Sequence, residues 1–232
     1  MFEKISNIGV YGDSILKGIQ INPVSKKYYI NNNIDLDRLR EKYSVQIKNN
    51  SSFGCTVTKG IKVLKKSLDK NADYDAIIMD YGGNDCNYNW KMIALNPEGE
   101  HSPNTPIDLF KETYCEIIDF LKKKGVLPIL TTLPPLEPQG FFNWFCKDLN
   151  KENVLKWLGE IKHIYYHQES YSKTVEKIAL EKQVPLIDLR EEFLKSENVK
   201  ELLCEDGTHP NTSGQKIIAS CFYKFANGYS KS

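Results

Sequence analysis

Ser14, Asp206 and His209 have the side chains that together make a nucleophile. A serine hydroxyl is a poor nucleophile at neutral pH until an imidazole accepts its proton, and a carboxylate is what usually holds that imidazole in one tautomer. In Asp206-Gly207-Thr208-His209 the carboxylate and imidazole stand three residues apart. A tight turn at Gly207 can bring the carboxylate to the Nδ1 hydrogen and leave Nε2 facing Ser14. Pro210 biases His209 away from helical backbone, and Thr212 and Gln215 have the spacing of a capping box at the start of a last helix, so His209 is expected on a turn. The tetrahedral oxyanion of an acyl transfer needs preorganised donors as well. Asn84, with its side-chain amide, and Gly54, where a missing side chain opens a backbone N–H, are the candidates.

These groups are distant in sequence and need a scaffold. Apolar runs at residues 5–11, 45–48, 76–81, 126–133 and 184–189 read as short strands stopped by glycine or polar residues. Helical spacing covers residues 36–43, 57–68, a segment through Leu109, Tyr114, Ile117, Ile118 and Leu121 closed by Lys122, Lys123, Lys124 and Gly125, then about 162–182 and about 213–226. Strands alternating with helices predict a parallel sheet covered on both faces, a three-layer α/β/α sandwich, as a single domain over residues 1–232. In a sheet of strand order 2-1-3-4-5, ligands sit at the carboxyl ends of strands one and three. Gly12-Asp13-Ser14 follows strand one and Gly82-Gly83-Asn84-Asp85 follows strand three, so both polar clusters fall at that crevice.

The ordered set resembles the SGNH hydrolases, also called the GDSL esterase/lipase superfamily. Its four blocks correspond here to Gly12-Asp13-Ser14-Ile15, Gly54, Gly82-Gly83-Asn84-Asp85 and Asp206-Gly207-Thr208-His209, which together span nearly the whole chain. Ile15 stands where leucine is common in the family, a conservative change at a packing position. The resemblance implies a flavodoxin-like fold, Ser14 and His209 as nucleophile and base, and an oxyanion hole of the Ser14 N–H, the Gly54 N–H and the Asn84 amide. It implies neither a metal nor an organic cofactor.

The remaining chemistry-bearing residues invite weaker readings. Asp13 and Asp85 adjoin the proposed site and are assigned to turn and helix-start hydrogen bonds. His163 and His167 are four apart on a predicted helix, a metal-binding spacing, but with no third ligand they are read as surface or packing residues, as is His101. Cys55, Cys86 and Cys204 lie within two residues of a site motif; buried free cysteines behave as small hydrophobes, and that reading is preferred to a thiol cluster sensitive to oxidation. Two long segments leave the sheet near the crevice, residues 86–106 with Tyr88, Trp90 and Met92, and residues 134–149 with Phe141, Phe142, Trp144 and Phe145. Trp90, Phe141 and Trp144 are candidate walls of a substrate pocket, the alternative being that they pack these segments onto the domain.

Composition narrows the function class. Thirty-one Lys plus Arg against thirty Asp plus Glu, a net charge of +1 and no dense basic block argue against nucleic acid as a partner. The apolar run at residues 1–11 has no small-residue cleavage site after it, and no stretch of about 18 apolar residues occurs, so neither secretion nor a membrane span is expected. Six scattered cysteines without a C-x-x-C pair read as reduced thiols of a cytoplasmic protein. No coiled-coil pattern specifies an oligomer. The expected activity is cleavage of a small-molecule carboxylic ester through an acyl-enzyme on Ser14, the substrate being an acetylated sugar, a lysophospholipid, or a short-chain ester or thioester. An acyltransferase would use the same residues with an alcohol replacing water. A ligand-binding module that had lost turnover would keep the fold, but the intact Ser14, Asn84, Asp206 and His209 argue against it.

Overall fold

The computed structural model describes residues 5–31, 36–70 and 72–229; residues 1–4 of the N-terminal apolar run and both ends of the expected domain lie outside them. The elements, in chain order, are β1 (Asn7–Gly12), β2 (Ile19–Ile21), β3 (Tyr28–Ile30), α1 (Leu36–Tyr43), β4 (Gln46–Asn49), α2 (Val57–Asp69), β5 (Ala76–Asp80) and α3 (Trp90–Leu95). They continue as α4 (Ile107–Lys123), β6 (Leu127–Thr131), α5 (Pro138–Phe145), α6 (Lys151–Leu158), α7 (Lys162–Lys182), β7 (Leu186–Ile187), α8 (Leu189–Leu194), a 3-10 turn (Val199–Leu202) and α9 (Thr212–Tyr229).

Five strands form one parallel sheet in the order β4-β1-β5-β6-β7. Counted within this sheet the order is 2-1-3-4-5; the chain-wide numbering differs because the antiparallel hairpin β2–β3, with Ile19 opposite Ile30, is inserted after β1. β5 explains why the strands read as continuous apolar runs. Ile77 and Met79 face a core shared with α2, α4 and α7, whereas Ala76 and Ile78 face a second core shared with α1, α8 and α9. Both faces of the strand are therefore dry, and each of its isoleucine and methionine side chains contributes about 1.5–3 kcal/mol of burial.

A third apolar cluster lies outside the sandwich. It joins Trp90, Ile93 and Ala94 of α3, Phe142 of α5, Val154 of α6 and Ile164 at the start of α7. The segments at residues 86–106 and 134–149 thus carry α3 and α5 and pack on one another.

The helix starts show which local signals decide. α3, α6 and α8 each begin at a side-chain cap, with Asn89 accepting from Met92 N–H, Asn150 from Asn153 N–H and Asp188 from Glu191 N–H. The start of α9 corrects the expected capping box: Asn211 Oδ1 accepts from Ser213 and Gly214 N–H, Thr212 is already helical, and Gln215 donates instead to the Ile15 carbonyl. Asparagine is as good a cap as threonine, and the one residue earlier in the chain takes the role.

Candidate active site

The turn that holds Ser14 is built on the end of β1. A Cβ at Gly12 would lie 2.9 Å from both the Cβ and the carbonyl oxygen of Asp80, so glycine lets β1 run this close to the end of β5. Asp13 N–H then donates to the Asp80 carbonyl, and Asp13 Oδ1 accepts from Ile15 N–H at 2.8 Å, the turn bond expected of it. Ser14 emerges at the carboxyl edge of the sheet, buried except for its approach from the cleft.

Asp206 and His209 are supplied by a turn just before α9. Gly207 has a left-handed φ of +68°. A side chain there would run into the backbone of Glu137 and Phe141, and Glu137 N–H donates to the Gly207 carbonyl at 2.7 Å. The turn is therefore seated against the start of α5. Asp206 Oδ1 accepts from the N–H groups of Thr208 at 3.2 Å and His209 at 3.1 Å. Its Oδ2 lies 2.5 Å from His209 Nδ1, and His209 Nε2 lies 2.8 Å from Ser14 Oγ. One carboxylate oxygen is held by its own turn and the other by the ring, which fixes the tautomer with Nε2 as the acceptor.

Two rings flank His209 that the sequence reading did not single out. Phe53 lies parallel to the imidazole at 6.0 Å, and Tyr28, on the inserted hairpin, meets it edge-on at 5.3 Å. Tyr28 Oη accepts from Trp144 Nε1 at 2.9 Å and makes a long contact of 3.4 Å to Asp206 Oδ2. Burial, with the Asp206 charge next to it, pushes the Tyr28 phenol up to about 12, so it stays a donor. Tyr28-Tyr29-Ile30 has strand-forming residues, but nothing in its spacing points to His209.

Asn84 lines the cleft, and its Nδ2 donates to Asp13 Oδ2 at 3.0 Å, which orients the amide. Asp85 turns inward and accepts from Val57 N–H at 3.0 and 3.1 Å, so it supports the first turn of α2. Asp80 completes a trio of buried carboxyls with Asp13 and Asp85. Burial first, then the neighbouring Asp80 charge, holds Asp13 well above the usual carboxylate range, and burial pushes Asp80 and Asp85 each up to about 6. Gly54 stands apart from these. It is half-buried at a φ of +69°, between Phe53, which lines the cleft, and the buried Cys55.

The cleft has a volume of about 470 Å³. Trp90, Phe141 and Trp144 all line it, and Trp90 also serves packing, stacked at 4.0 Å on Phe145 with its Nε1 donating to Asn87. His163, which is exposed, and His167, which packs on Tyr88 and Tyr171, line the cleft too. A helical i, i+4 pair facing an aromatic pocket has the same sequence signature as one facing solvent, so the spacing could not tell. Among the described residues, no group of three His, Cys, Asp or Glu side chains that could hold a metal occurs. Cys86 lines the cleft but is buried, and burial pushes the Cys55, Cys86 and Cys204 thiols up, away from the reactive thiolate.

Fold and family together make this chain a carboxylic ester hydrolase. It belongs to the GDSL-like lipase/acylhydrolase family, whose model matches residues 7–222. Solved structures with the same fold include a lipase/acylhydrolase from Enterococcus faecalis, at 18% identity and a TM-score of 0.66, covering 97% of each chain. An acetylxylan esterase from Geobacillus stearothermophilus matches at 20% identity and a TM-score of 0.64, over 96% of this chain and 95% of the other. A GDSL-like lipase from Bacteroides thetaiotaomicron matches at 15% identity and 0.64, over 97% and 89%. No curated protein matches the sequence. Among the described residues no helix is long and apolar enough to cross a membrane.

Proposed function

We propose that the chain cleaves its ester through an acyl-enzyme on Ser14. Ser14 Oγ attacks the ester carbonyl while His209 Nε2 takes its proton, and Asp206 stabilises the imidazolium that forms. The Ser14 and Gly54 N–H groups and Asn84 Nδ2 receive the oxyanion. Collapse of the tetrahedral intermediate breaks the acyl carbon–oxygen bond, and the leaving oxygen takes the proton back from His209. Water then repeats the sequence, with His209 as base, to free the acid and Ser14. The observation that carries this reading is the continuous contact Ser14 Oγ to His209 Nε2 at 2.8 Å and His209 Nδ1 to Asp206 Oδ2 at 2.5 Å.

The protein acts as a single domain, and its six unpaired thiols favour a reducing, cytoplasmic setting. Acetylated sugars, lysophospholipids and short-chain esters all suit the catalytic groups, and the acetylxylan esterase among the similar structures favours an acetyl ester. The test is hydrolysis of p-nitrophenyl acetate, butyrate and octanoate by wild type and by Ser14→Ala with the same circular dichroism spectrum. Ser14→Ala is expected to lose at least about 10³-fold in kcat, and a serine-directed phosphonate to label Ser14 in the wild type alone. Turnover that survives in Ser14→Ala sinks the assignment. Product appearing as a transferred ester when an alcohol is added, in place of acid, points to the acyltransferase.

A further inference from the structure

The two histidines of α7 have no part in the proposed chemistry, yet both line the cleft that holds Ser14. Each ring has one nitrogen on a backbone carbonyl. His163 Nδ1 lies 2.8 Å from the Leu158 oxygen, and His167 Nε2 lies 3.0 Å from the Cys86 oxygen. A carbonyl oxygen can only accept, so in the neutral imidazoles those nitrogens carry the protons. The opposite nitrogens, His163 Nε2 and His167 Nδ1, are then lone-pair acceptors, and neither has a protein donor among the described residues.

Aromatic rings stand beside the second of these, His167. Tyr88 lies 4.9 Å from His167 and 4.9 Å from Trp157, and both Tyr88 and Trp157 are part-exposed in the cleft wall. They belong to the aromatic group around Trp90, and among the described residues no ring contact joins that group to the Tyr28 and Phe53 rings that flank His209. Charge sets a further condition. Asp13 and Asp206 line the cleft, while among the described residues no lysine or arginine does. A phosphate or carboxylate would be desolvated there with no cation to meet it.

Acceptors without a protein donor can take ligand hydroxyls, aromatic faces suit the C–H face of a saturated ring, and the absence of lysine and arginine from the lining favours a neutral ligand. A sugar ring meets all three conditions. A phospholipid head group fails on charge, and a plain alkyl alcohol leaves both imidazole acceptors unpaired. We infer that His163, His167, Tyr88 and Trp157 form a subsite for the sugar ring of a neutral O-acyl carbohydrate, so that the alcohol released by the enzyme is a sugar. This rests on the ester-hydrolase reading of Ser14.

Two measurements test it. In kinetics, 6-O-acetylglucose is compared with cyclohexylmethyl acetate, which has a ring of similar size without hydroxyls. The wild-type kcat/KM ratio is expected to exceed about tenfold in favour of the sugar, and His163→Phe and His167→Phe each to reduce that ratio by up to about tenfold, as loss of one neutral hydrogen bond allows. A wild-type ratio near one overturns the subsite while turnover of p-nitrophenyl acetate leaves the hydrolase reading standing. If p-nitrophenyl acetate is not turned over, the hydrolase reading fails, and the subsite is judged by saturation-transfer NMR on the wild-type protein. Transfer to methyl β-D-glucopyranoside that is absent for glucose 6-phosphate, and weakened in Trp157→Ala, supports it. No transfer to the glucoside, or equal transfer to the phosphate, overturns it.

Discussion

Asn84 gives the residue scale its sharpest test, because one hydrogen of its amide is already committed to Asp13. The other is the one available to the oxyanion. Asn84→Ala is expected to lower kcat on p-nitrophenyl acetate by about 10²- to 10³-fold with KM little changed, the signature of a donor used in the transition state. Asp13→Ala leaves the amide in place but free to rotate, and its loss should be smaller than that of Asn84→Ala; an equal or larger loss at preserved stability would give Asp13 a more direct role. The thiols make the opposite prediction. With Cys55, Cys86 and Cys204 all raised by burial, iodoacetamide under native conditions should leave activity unchanged, and inactivation protected by substrate would contradict that.

At the scale of elements, the turn 206–209 depends on α5. Gly207→Ala must relieve both a left-handed φ and a collision with the Glu137 and Phe141 backbone, so the turn has to shift and take His209 with it. We expect about 1–3 kcal/mol of destabilisation in urea and at least a tenfold loss of kcat, the cost of a left-handed non-glycine residue plus misplacement of the base. Activity retained at wild-type level would mean that α5 does not hold the turn. How much could be read in advance also divides by element. α7 was legible over its full length because 21 residues repeat the helical period, and β5 because both its faces are apolar. The hairpin β2–β3 and the helices α3, α5, α6 and α8 were not, since strands of three residues and helices of six or eight give periodicity little to act on; of the helices this short only α1 was read in advance. Asn89, Asn150 and Asp188 were available as cap signals, but a lone Asn or Asp is as common in a turn. The same limit hid Tyr28 and Phe53, whose contact with His209 arises only when the hairpin and the loop after β4 fold over the carboxyl edge.

For the whole molecule, burying Asp13, Asp80 and Asp85 beneath the site has a cost that pH exposes. Asp80 has its carboxyl raised from 3.8 to about 6, chiefly by burial. Between those values the folded chain keeps a proton that the unfolded chain has lost, so the contribution favours folding below about pH 4 and is lost as pH rises to about 6. Asp80→Asn removes that loss. It should raise the unfolding free energy relative to wild type by about 1–3 kcal/mol at pH 7.5, with the gain shrinking towards pH 4. A difference that does not vary with pH would rule out this account. Where the proposed nucleophile and base lie in the chain has a consequence for synthesis. Ser14 and His209 touch across 195 residues, so a ribosome releases the serine long before it has made the imidazole. A nascent chain therefore holds an inert alcohol at Ser14 until the turn before α9 has been made and has docked, and on the proposed mechanism the ability to cut esters switches on only then, which makes turnover itself a report that this long-range contact has closed.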